Sequence, residues 1–302
     1  SIKSPLIILL NTNRNDFYYK NAILNSYMSN KLKIHFFLKT LLIKLDYYNL
    51  LPNFVKKLSR IIFDVSYNYS FERKYNGEES IVKNLYKENI KIDTIFDVGA
   101  NKGFWSDYFY KFFNKSKFFL FEITPSRLKI LNKIDIKNFN IINFGLAEKD
   151  KDLFFYDYSS LDGENSIFNT RPDTKSKKIK SKFLAGDTFC KKNNINFIDF
   201  LKIDVEGMEY EVLKGFNNML KNKKIKIIQF EYTIANSISK YMLKDISSLL
   251  NSNNYIIGKL TNKGVIFIKD FKIEMNHFYY GPNFIACNKN HTQLIKKLSN
   301  FN

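Results

Sequence analysis

Four carboxylate side chains stand where chemistry is expected, at the ends of apolar runs. These are Asp97, Glu122, Asp204 and Glu231. If the runs are parallel strands, their carboxyl ends meet at one edge of a sheet, which is where open α/β folds bind ligands. Carboxylates at such an edge can accept hydrogen bonds from ligand hydroxyls, take up a proton or hold a cation. The pattern therefore predicts a ligand site at this edge.

A glycine loop follows the first of these runs. It spans Gly99-Ala100-Asn101-Lys102-Gly103, and glycine lets a backbone approach a ligand closely. The spacing differs from the G-x-G-x-x-G of nicotinamide dinucleotide folds. Glu122 ends the next run, nineteen residues after Gly103. From that position a carboxylate can accept both hydroxyls of a ribose, as in dinucleotide and adenosyl sites.

The loop, written D-x-G-A-N-x-G from Asp97, resembles the first motif of class I S-adenosylmethionine-dependent methyltransferases in the form found in the FkbM family. Two further segments match that family, Asn143–Ala147 and the K-I-D-V-E-G motif within Leu201–Gly215. The resemblance extends from about Tyr75 to Lys289. It implies S-adenosylmethionine as the cofactor and the following contacts: Asp97, Gly99, Asn101, Gly103, Glu122, Ile123, Asn143, Gly145 and Asp204.

From Ile92 onward, short apolar runs alternate with amphipathic helices, the pattern of βαβ units around a parallel sheet. Strands are predicted at Thr94–Val98, Phe118–Glu122, Ile141–Phe144, Phe197–Ile203, Ile225–Glu231, Tyr255–Leu260 and Phe284–Asn288. Helices are predicted near Phe104–Phe113, Ser126–Lys133, Glu209–Leu220 and Ser239–Leu250. With the resemblance, this predicts an α/β, Rossmann-like class I methyltransferase fold: a mostly parallel seven-stranded sheet with helices on both faces.

The stretch Ser159–Lys182 is polar, rich in lysine and without periodicity. A loop of this length inside a compact domain is usually functional or disordered. It is also longer than the resemblance leads us to expect. Its lysines are candidates to meet a diphosphate or another anionic group of an acceptor.

Residues 1–75 are predicted to form an N-terminal helical extension, followed by the methyltransferase domain at 76–302. Apolar residues recur at helical spacing from Lys31 to Tyr48, and a second basic stretch, Lys56–Val65, follows Pro52. Such helices can pack on the main domain or on a second copy of the chain, which would give a homo-oligomer. Alternatively, residues 31–63 can lie on the surface of an anionic membrane.

The net charge of +19 is compatible with nucleic acid as a partner, but the kind of basic residue and the motifs argue against it. Only five of the 48 basic residues are arginines and 43 are lysines, whereas specific base readout favours arginine. Ile203–Glu206 stands where enzymes that methylate base amino groups carry N-P-P-Y or D-P-P-Y. Neither Cys190 nor Cys287 follows a proline, as the thiol of cytosine C5 enzymes does.

The same composition points to the cytoplasm. Two cysteines cannot form a disulfide framework, and no run reaches the roughly 18 apolar residues of a membrane span. The first residues also lack a signal-peptide cleavage site. We therefore expect a cytoplasmic protein, with peripheral contact at the inner membrane left open by the N-terminal helices.

Methyl transfer to a hydroxyl needs a group that handles the hydroxyl proton. The candidate catalytic residues are Asp204, Glu206 and His277, the last in a late loop. Two mechanisms are open. In one, Asp204 or His277 is a general base. In the other, Asp204, Glu231 and His277 hold Mg²⁺, Mn²⁺ or Fe²⁺, which binds the acceptor oxygen.

The FkbM resemblance implies O-methylation of sugars and secondary metabolites. The expected acceptor is a small molecule, a sugar or nucleotide sugar of bacterial surface-glycan biosynthesis, such as capsule or lipopolysaccharide. One alternative is N-methylation of a small polar glycan modification. Another is a Rossmann-like binding module without turnover, against which the complete set of strand-end carboxylates argues.

Overall fold

The computed structural model describes residues 30–48, 50–67, 69–158, 165–277 and 282–301. The chain divides into two compact units between Phe63 and Asp64. This boundary lies before the one expected at residue 75, because the intervening segment contacts the central sheet of the second unit. Lys259 donates a hydrogen bond to the carbonyl of Tyr67, and Gly77 packs against the backbone of Thr261.

The described part of the second unit contains two sheets. Its strands, in chain order, are β1 (Thr94–Val98), β2 (Lys117–Phe121), β3 (Phe139–Ile142), β4 (Gly145–Ala147), β5 (Lys151–Asp157), β6 (Lys177–Ala185), β7 (Ile198–Ile203), β8 (Ile225–Glu231), β9 (Tyr255–Thr261), β10 (Gly264–Phe267) and β11 (Asn283–Asn288). The larger sheet has eight strands in the order β10-β9-β11-β8-β7-β1-β2-β3. β11 and β10 are antiparallel to their neighbours, so the other six strands run in one direction.

All seven predicted strands are present in this sheet, and the mostly parallel fold is confirmed. The eighth strand, β10, pairs with β9 at the edge. β10 has only four residues and follows a tight turn. In the sequence, β9 and β10 therefore look like one apolar stretch interrupted by three polar residues, Thr261–Lys263, and β10 was not predicted as a separate strand.

Helices cover both faces of the sheet because alternate strand residues point to opposite sides. The helices are α1 (Asn30–Tyr47), α2 (Asn53–Ser66), α3 (Arg73–Asn76), α4 (Glu78–Lys87), α5 (Phe104–Tyr110), α6 (Pro125–Leu131), α7 (Gly186–Lys192), α8 (Glu209–Gly215), α9 (Asn217–Lys221), α10 (Ala235–Ser239), α11 (Leu243–Ser252) and α12 (Thr292–Leu298). On β1, Phe96 and Val98 join a core shared with α8, α9 and α11. Ile95 joins a second core, shared with α4, α5 and α12.

The smaller sheet corrects the expectation that Ser159–Lys182 is one irregular loop. β6 begins inside that stretch and pairs antiparallel with β5 from Lys177↔Asp157 to Phe183↔Lys151, while β4 pairs with its other edge. Lysines 178, 180 and 182 are exposed and alternate with less exposed residues, one of which is Ser181. A serine at an inward position hid the two-residue period. Residues 159–164 lie outside the described part of the chain.

The N-terminal helices differ in how they arrange apolar side chains. α2 is strongly amphipathic, and its apolar face is exposed at Phe54, Leu58, Ile61, Ile62 and Val65. α1 confines its apolar residues to one face only weakly, since Ile43 and Tyr47 lie away from the face formed by the apolar residues at helical spacing. The clearer amphipathic helix is therefore α2, not the one expected at Lys31–Tyr48. Within the described ranges, no helix combines the length and apolarity that crossing a bilayer requires.

Candidate functional site

A cavity of about 630 Å³ opens at the carboxyl ends of β1, β2, β7 and β8. Its wall includes Gly99 after β1, Glu122 after β2, Asp204 after β7 and Glu231 at the end of β8. The chain runs outward from β1 to β2 and β3, then returns to place β7 on the other side of β1. This reversal of strand order opens the crevice in which open α/β folds bind ligands.

The glycine loop is shaped by close packing against the segment after β7. Gly99 has a φ of +86°, and a Cβ there would lie 1.9 Å from the carbonyl oxygen of Asp204, so only glycine fits. Asn101 lines the cavity, and its buried Oδ1 accepts no hydrogen bond from the described residues. A buried acceptor of this kind suits a donor on a ligand. Gly103, with a φ of +79°, instead packs on Leu131, behind the cavity wall.

Three backbone N–H groups fix Glu122. Asn101 donates to Oε2 at 2.8 Å, while Ile123 and Thr124 donate to Oε1 at 2.8 and 2.7 Å. Burial raises the pKa of Glu122, and these donors oppose the rise because they favour the carboxylate. Oε2 accepts only one of the three bonds. It therefore retains capacity for a ligand hydroxyl in the cavity that Glu122 lines.

Lys202 lies buried behind the cavity wall and joins two strand-end carboxylates. Its Nζ is 3.0 Å from Asp204 Oδ2 and 3.4 Å from Asp97 Oδ1. Ser106 donates a further hydrogen bond to Asp97, at 2.7 Å. Burial works against the charge of Lys202, but Asp204, Asp97 and Glu78 outweigh it and raise the lysine pKa. The K-I-D-V-E-G motif contains this lysine, yet nothing in the sequence marks it as a buried counter-ion.

Asp204, Glu206 and Glu231 form a carboxylate cluster in the cavity wall. One oxygen of each lies within 4.8 Å of the others. Burial raises the pKa of Glu231 well above its ordinary value of 4.5, and the charges of Asp204 and Glu206 raise it further. Three carboxylates at this spacing do not all stay ionised without a neutralising partner. The carboxylate cluster can therefore hold a proton or a cation.

Glu209 shapes the loop that carries two members of this cluster. Its carboxylate accepts hydrogen bonds from the backbone N–H groups of Val205 at 3.0 Å and Gly207 at 3.1 Å, and from Asn236 Nδ2 at 2.8 Å. Burial raises the pKa of Glu209 to about 7, although these donors favour its charged form. Between them, Glu206 adopts a φ of +52°. Glu209 thus fixes the backbone that presents Glu206.

A bridging segment, residues 165–171, links the two sides of the cavity. Asn165 Nδ2 donates to Thr124 Oγ1 at 3.0 Å, and Ser166 Oγ donates to the carbonyl oxygen of Glu206 at 2.7 Å. Part of the predicted functional loop therefore does reach the site. Its lysines do not, since no lysine of the described ranges lines the cavity.

The structure brings most of the predicted site residues together. The cavity is lined by Gly99, Asn101, Glu122, Ile123, Gly145, Asp204, Glu206 and Glu231, while Asp97 and Gly103 lie behind its wall. Asn143 and His277 are exposed and are not among the described lining residues. The predicted metal set Asp204, Glu231 and His277 is not assembled, because His277 lies exposed after a short 3₁₀ helix and does not line the cavity. Glu206 completes the cluster instead.

Other lining residues carry no motif. They include Tyr69 and Phe71 from the segment before α3, Arg127 in α6, Thr170 and Arg171 in the bridging segment, and Ile234 after β8. They come from connections, so the strand-end pattern does not mark them. The scarcity of arginine in the sequence is the one signal that distinguishes Arg127 and Arg171.

Comparison with known proteins is consistent with this geometry. The family model of the methyltransferase FkbM domain matches residues 97–257, slightly more than half of the chain. The hexuronic acid methyltransferase AglP of Haloferax volcanii is 24% identical over 199 residues, which make up 63% of this chain and 80% of that relative.

One similar solved structure is that of the FkbM methyltransferase of Methylobacillus flagellatus KT, which is 13% identical to this chain with a TM-score of 0.40. The similarity covers 65% of this chain and 43% of that protein. A second is that of an S-adenosylmethionine-dependent methyltransferase of Aquifex aeolicus, which is 15% identical with a TM-score of 0.36. This similarity covers 71% of this chain and 89% of the Aquifex protein. By its family match, the chain belongs to the FkbM methyltransferases and is an S-adenosylmethionine-dependent methyltransferase.

Proposed function

We propose that this enzyme O-methylates a hydroxyl group of a sugar or nucleotide sugar in glycan biosynthesis. The observation that carries the proposal is a single cavity in which the carboxylate cluster faces the same space as Glu122 and Gly99. A hydroxyl acceptor needs such a proton-handling group next to the cofactor site. The AglP relative is a methyltransferase for a hexuronic acid, which supports a sugar acceptor.

We assign S-adenosylmethionine to the cofactor half of the cavity, bounded by Gly99, Asn101 and Glu122. Glu122 accepts hydrogen bonds from the ribose, and Ile123 and Gly145 adjoin the adenine. The unpaired Oδ1 of Asn101 suits the ammonium group of the methionine portion. Gly99 packs directly against the backbone carbonyl of Asp204, and this contact fixes the glycine loop at the cavity wall. Asp97 supports the loop from behind through Ser106 and Lys202.

We assign the acceptor to the other half, bounded by the carboxylate cluster and the bridging segment, and call it the acceptor half. When bound, S-adenosylmethionine supplies an electrophilic methyl group. Asp204 takes the proton that the acceptor hydroxyl releases as its oxygen bonds to carbon, and Lys202 holds the Asp204 carboxylate in place. Glu206 accepts a hydrogen bond that orients the acceptor. The products are S-adenosylhomocysteine, a methyl ether and a protonated carboxylate that returns its proton to water.

The metal mechanism gives the carboxylate cluster a divalent cation in place of a proton. An all-oxygen set suits Mg²⁺ or Mn²⁺. We favour the proton, because Lys202 already supplies a positive charge at Asp204 and the pKa of Glu231 is raised. Turnover that persists in EDTA supports proton transfer. Turnover that EDTA abolishes and Mg²⁺ restores supports the cation.

We place this reaction at the cytoplasmic face of a membrane where glycans such as capsule or lipopolysaccharide are assembled. The exposed apolar residues of α2 lie on one face, and Lys56, Lys57 and Arg60 lie outside it, as in helices that bind anionic bilayers. Flotation with vesicles that contain phosphatidylglycerol tests this contact for residues 31–63. Dimerisation in light scattering without flotation would favour a homo-oligomer instead.

The acceptor class is tested by incubating the enzyme with S-adenosylmethionine and a panel of neutral, acidic and amino nucleotide sugars. Mass spectrometry then detects methylated products, and fragmentation locates the methyl group. Methyl ethers are expected. Products methylated only on nitrogen of the amino sugars would overturn O-methylation and support the alternative N-methyltransferase.

A further inference from the structure

The basic residues of the cavity differ from those of the whole chain. Of 48 basic residues, 43 are lysines and five are arginines. Within the described ranges, the basic side chains that line the cavity are nonetheless both arginines, Arg127 and Arg171. A compositional bias toward lysine acts on every basic position. Two arginines together at the one site assigned to substrates therefore indicate that this site needs guanidinium groups.

Guanidinium and ammonium groups recognise different ligands. Arginine presents a planar fork of N–H donors that binds a carboxylate or phosphate through two parallel hydrogen bonds, whereas lysine acts as a point charge. Arginine also remains charged in partly buried places. Arg127 is partly buried, which fits a side chain that contacts a ligand rather than bulk water, whereas Arg171 lines the same cavity from an exposed position.

The fold connects the segments that carry the two arginines. Arg127 lies in the first turn of α6, three residues after Thr124, whose hydroxyl accepts the hydrogen bond from Asn165. Arg171 ends the bridging segment, and its backbone N–H donates to the hydroxyl of Tyr158 at 3.2 Å. The backbone N–H of Tyr158 donates in turn to Asn165 Oδ1 at 2.9 Å, so the segments that carry the two arginines are connected through Asn165.

The negative charge of the carboxylate cluster restricts how an acidic acceptor can lie in the cavity. Asp204, Glu206 and Glu231 favour a hydroxyl and repel an anion, so an acidic acceptor has to direct its anionic group away from them. We infer that Arg127 and Arg171 bind an oxyanion of the acceptor, the carboxylate of an acidic sugar or the phosphate of a nucleotide sugar, while the carboxylate cluster meets the hydroxyl that is methylated. This inference rests on the proposed function and specifies its substrate class.

The test compares Arg127→Gln and Arg171→Gln with the wild-type enzyme. Lys129→Gln, an exposed position on α6, and Lys175→Gln, an exposed position after the bridging segment, are matched controls that each remove one positive charge outside the cavity. Four probes are titrated by calorimetry in the presence of S-adenosylhomocysteine: methyl glucuronide, methyl glucoside, UDP-glucose and UDP-glucuronate. Affinity for S-adenosylhomocysteine is measured separately for every variant.

Each arginine variant should weaken binding of an anionic probe by about 10- to 100-fold, the cost of losing hydrogen bonds between charged groups. Binding of methyl glucoside and S-adenosylhomocysteine should stay within about twofold, and the lysine controls should match the wild type. Affinity lost for methyl glucuronide and UDP-glucuronate but not for UDP-glucose identifies a carboxylate as the bound oxyanion. Affinity lost for UDP-glucose and UDP-glucuronate but not for methyl glucuronide identifies a phosphate.

Equal losses for methyl glucoside and the anionic probes would overturn the inference, and so would a wild type that shows no preference for any anionic probe. A loss of S-adenosylhomocysteine affinity in the arginine variants would overturn it as well, because the arginines would then serve the cofactor. Failure of the wild type to bind S-adenosylhomocysteine at all would instead refute the proposed function.

Discussion

The two halves of the cavity differ in what surrounds their carboxylates. In the cofactor half, Glu122 accepts three backbone hydrogen bonds that fix both of its oxygens. In the acceptor half, Asp204, Glu206 and Glu231 face one another within 4.8 Å, and Lys202 bonds to Asp204 from behind. The first arrangement stabilises a carboxylate by dipoles and the second crowds like charges together.

In the proposed function, this difference separates cofactor binding from the reaction. At Glu122 the N–H donors oppose the rise in pKa that burial causes and fix the geometry of the carboxylate, which suits it to accept hydrogen bonds from a ribose. In the carboxylate cluster the pKa of Glu231 is raised, so the cluster takes up a proton more readily, which suits it to handle the acceptor hydroxyl. Substitutions in the cofactor half should therefore change affinity, and substitutions in the acceptor half should change turnover.

The largest expected effect is on turnover in Asp204→Asn. The amide cannot take up the acceptor proton, so kcat should fall by about 10²- to 10⁴-fold, the usual contribution of a general base. Affinity for S-adenosylhomocysteine should change little. Steady-state kinetics and calorimetry measure the two quantities, with the exposed Asp152→Asn as control. A kcat close to that of the wild type would remove Asp204 from the reaction.

Lys202→Met should affect both halves at once. Without the ammonium group, Asp97 is left buried without its cation, and breaking a buried ion pair in this way costs about 3–5 kcal/mol of unfolding free energy. Cofactor affinity and kcat should fall together. Urea denaturation and calorimetry provide the measurements, and Lys202→Arg, which keeps the charge, should lose less. Unchanged stability in Lys202→Met would show that the ion pair is dispensable.

The raised pKa of Glu209 should make the unfolding free energy of the protein depend on pH. Because burial raises its pKa from 4.5 to about 7, the native state holds a proton that the unfolded state releases in this window. The unfolding free energy of the wild type should therefore fall as pH rises from 4.5 to 7, relative to Glu209→Gln, by about 2–4 kcal/mol. Urea denaturation of both proteins at several pH values measures the difference. A difference independent of pH would contradict this assignment.

The smallest expected effect is a shift in the pH profile of Glu206→Gln. Removing one negative charge lowers the pKa of Glu231, so the carboxylate cluster to which Asp204 belongs takes up its proton at lower pH, and the acid limb of kcat should move to lower pH. Glu148→Gln, which removes a carboxylate outside the cavity, should leave the limb in place. If both variants have the wild-type profile, the carboxylate cluster does not control the acid limb.

The cofactor half could be predicted because its parts are close in sequence. Strand, glycine loop, helix and Glu122 follow one another between residues 94 and 122, so their spacing reports their geometry directly. The strand-end carboxylates Asp204 and Glu231 were predictable for a related reason, since parallel strands end at one edge. The strand pattern likewise predicted the sheet, apart from its short edge strand β10.

The acceptor half could be predicted only in part, because it depends on contacts between distant segments. The bridging segment reaches Thr124 and Glu206 through side-chain hydrogen bonds that no periodicity shows. The two-residue period of β6 is hidden by Ser181, and the ion pairs of Lys202 depend on burial. His277 has the right chemistry for a ligand or base, but it lies exposed outside the cavity wall.

The most direct test of this division is a calorimetric titration of S-adenosylhomocysteine into the wild type, Asp204→Asn and Glu122→Ala, at a salt concentration that screens the net charge of +19. We predict one-to-one binding with a Kd of about 1 μM for the wild type and Asp204→Asn. Glu122→Ala should bind about 100-fold more weakly, because the ribose loses its acceptor and three backbone donors lose theirs. Equal binding by all three proteins, or no binding by the wild type, would contradict the assignment of the two halves.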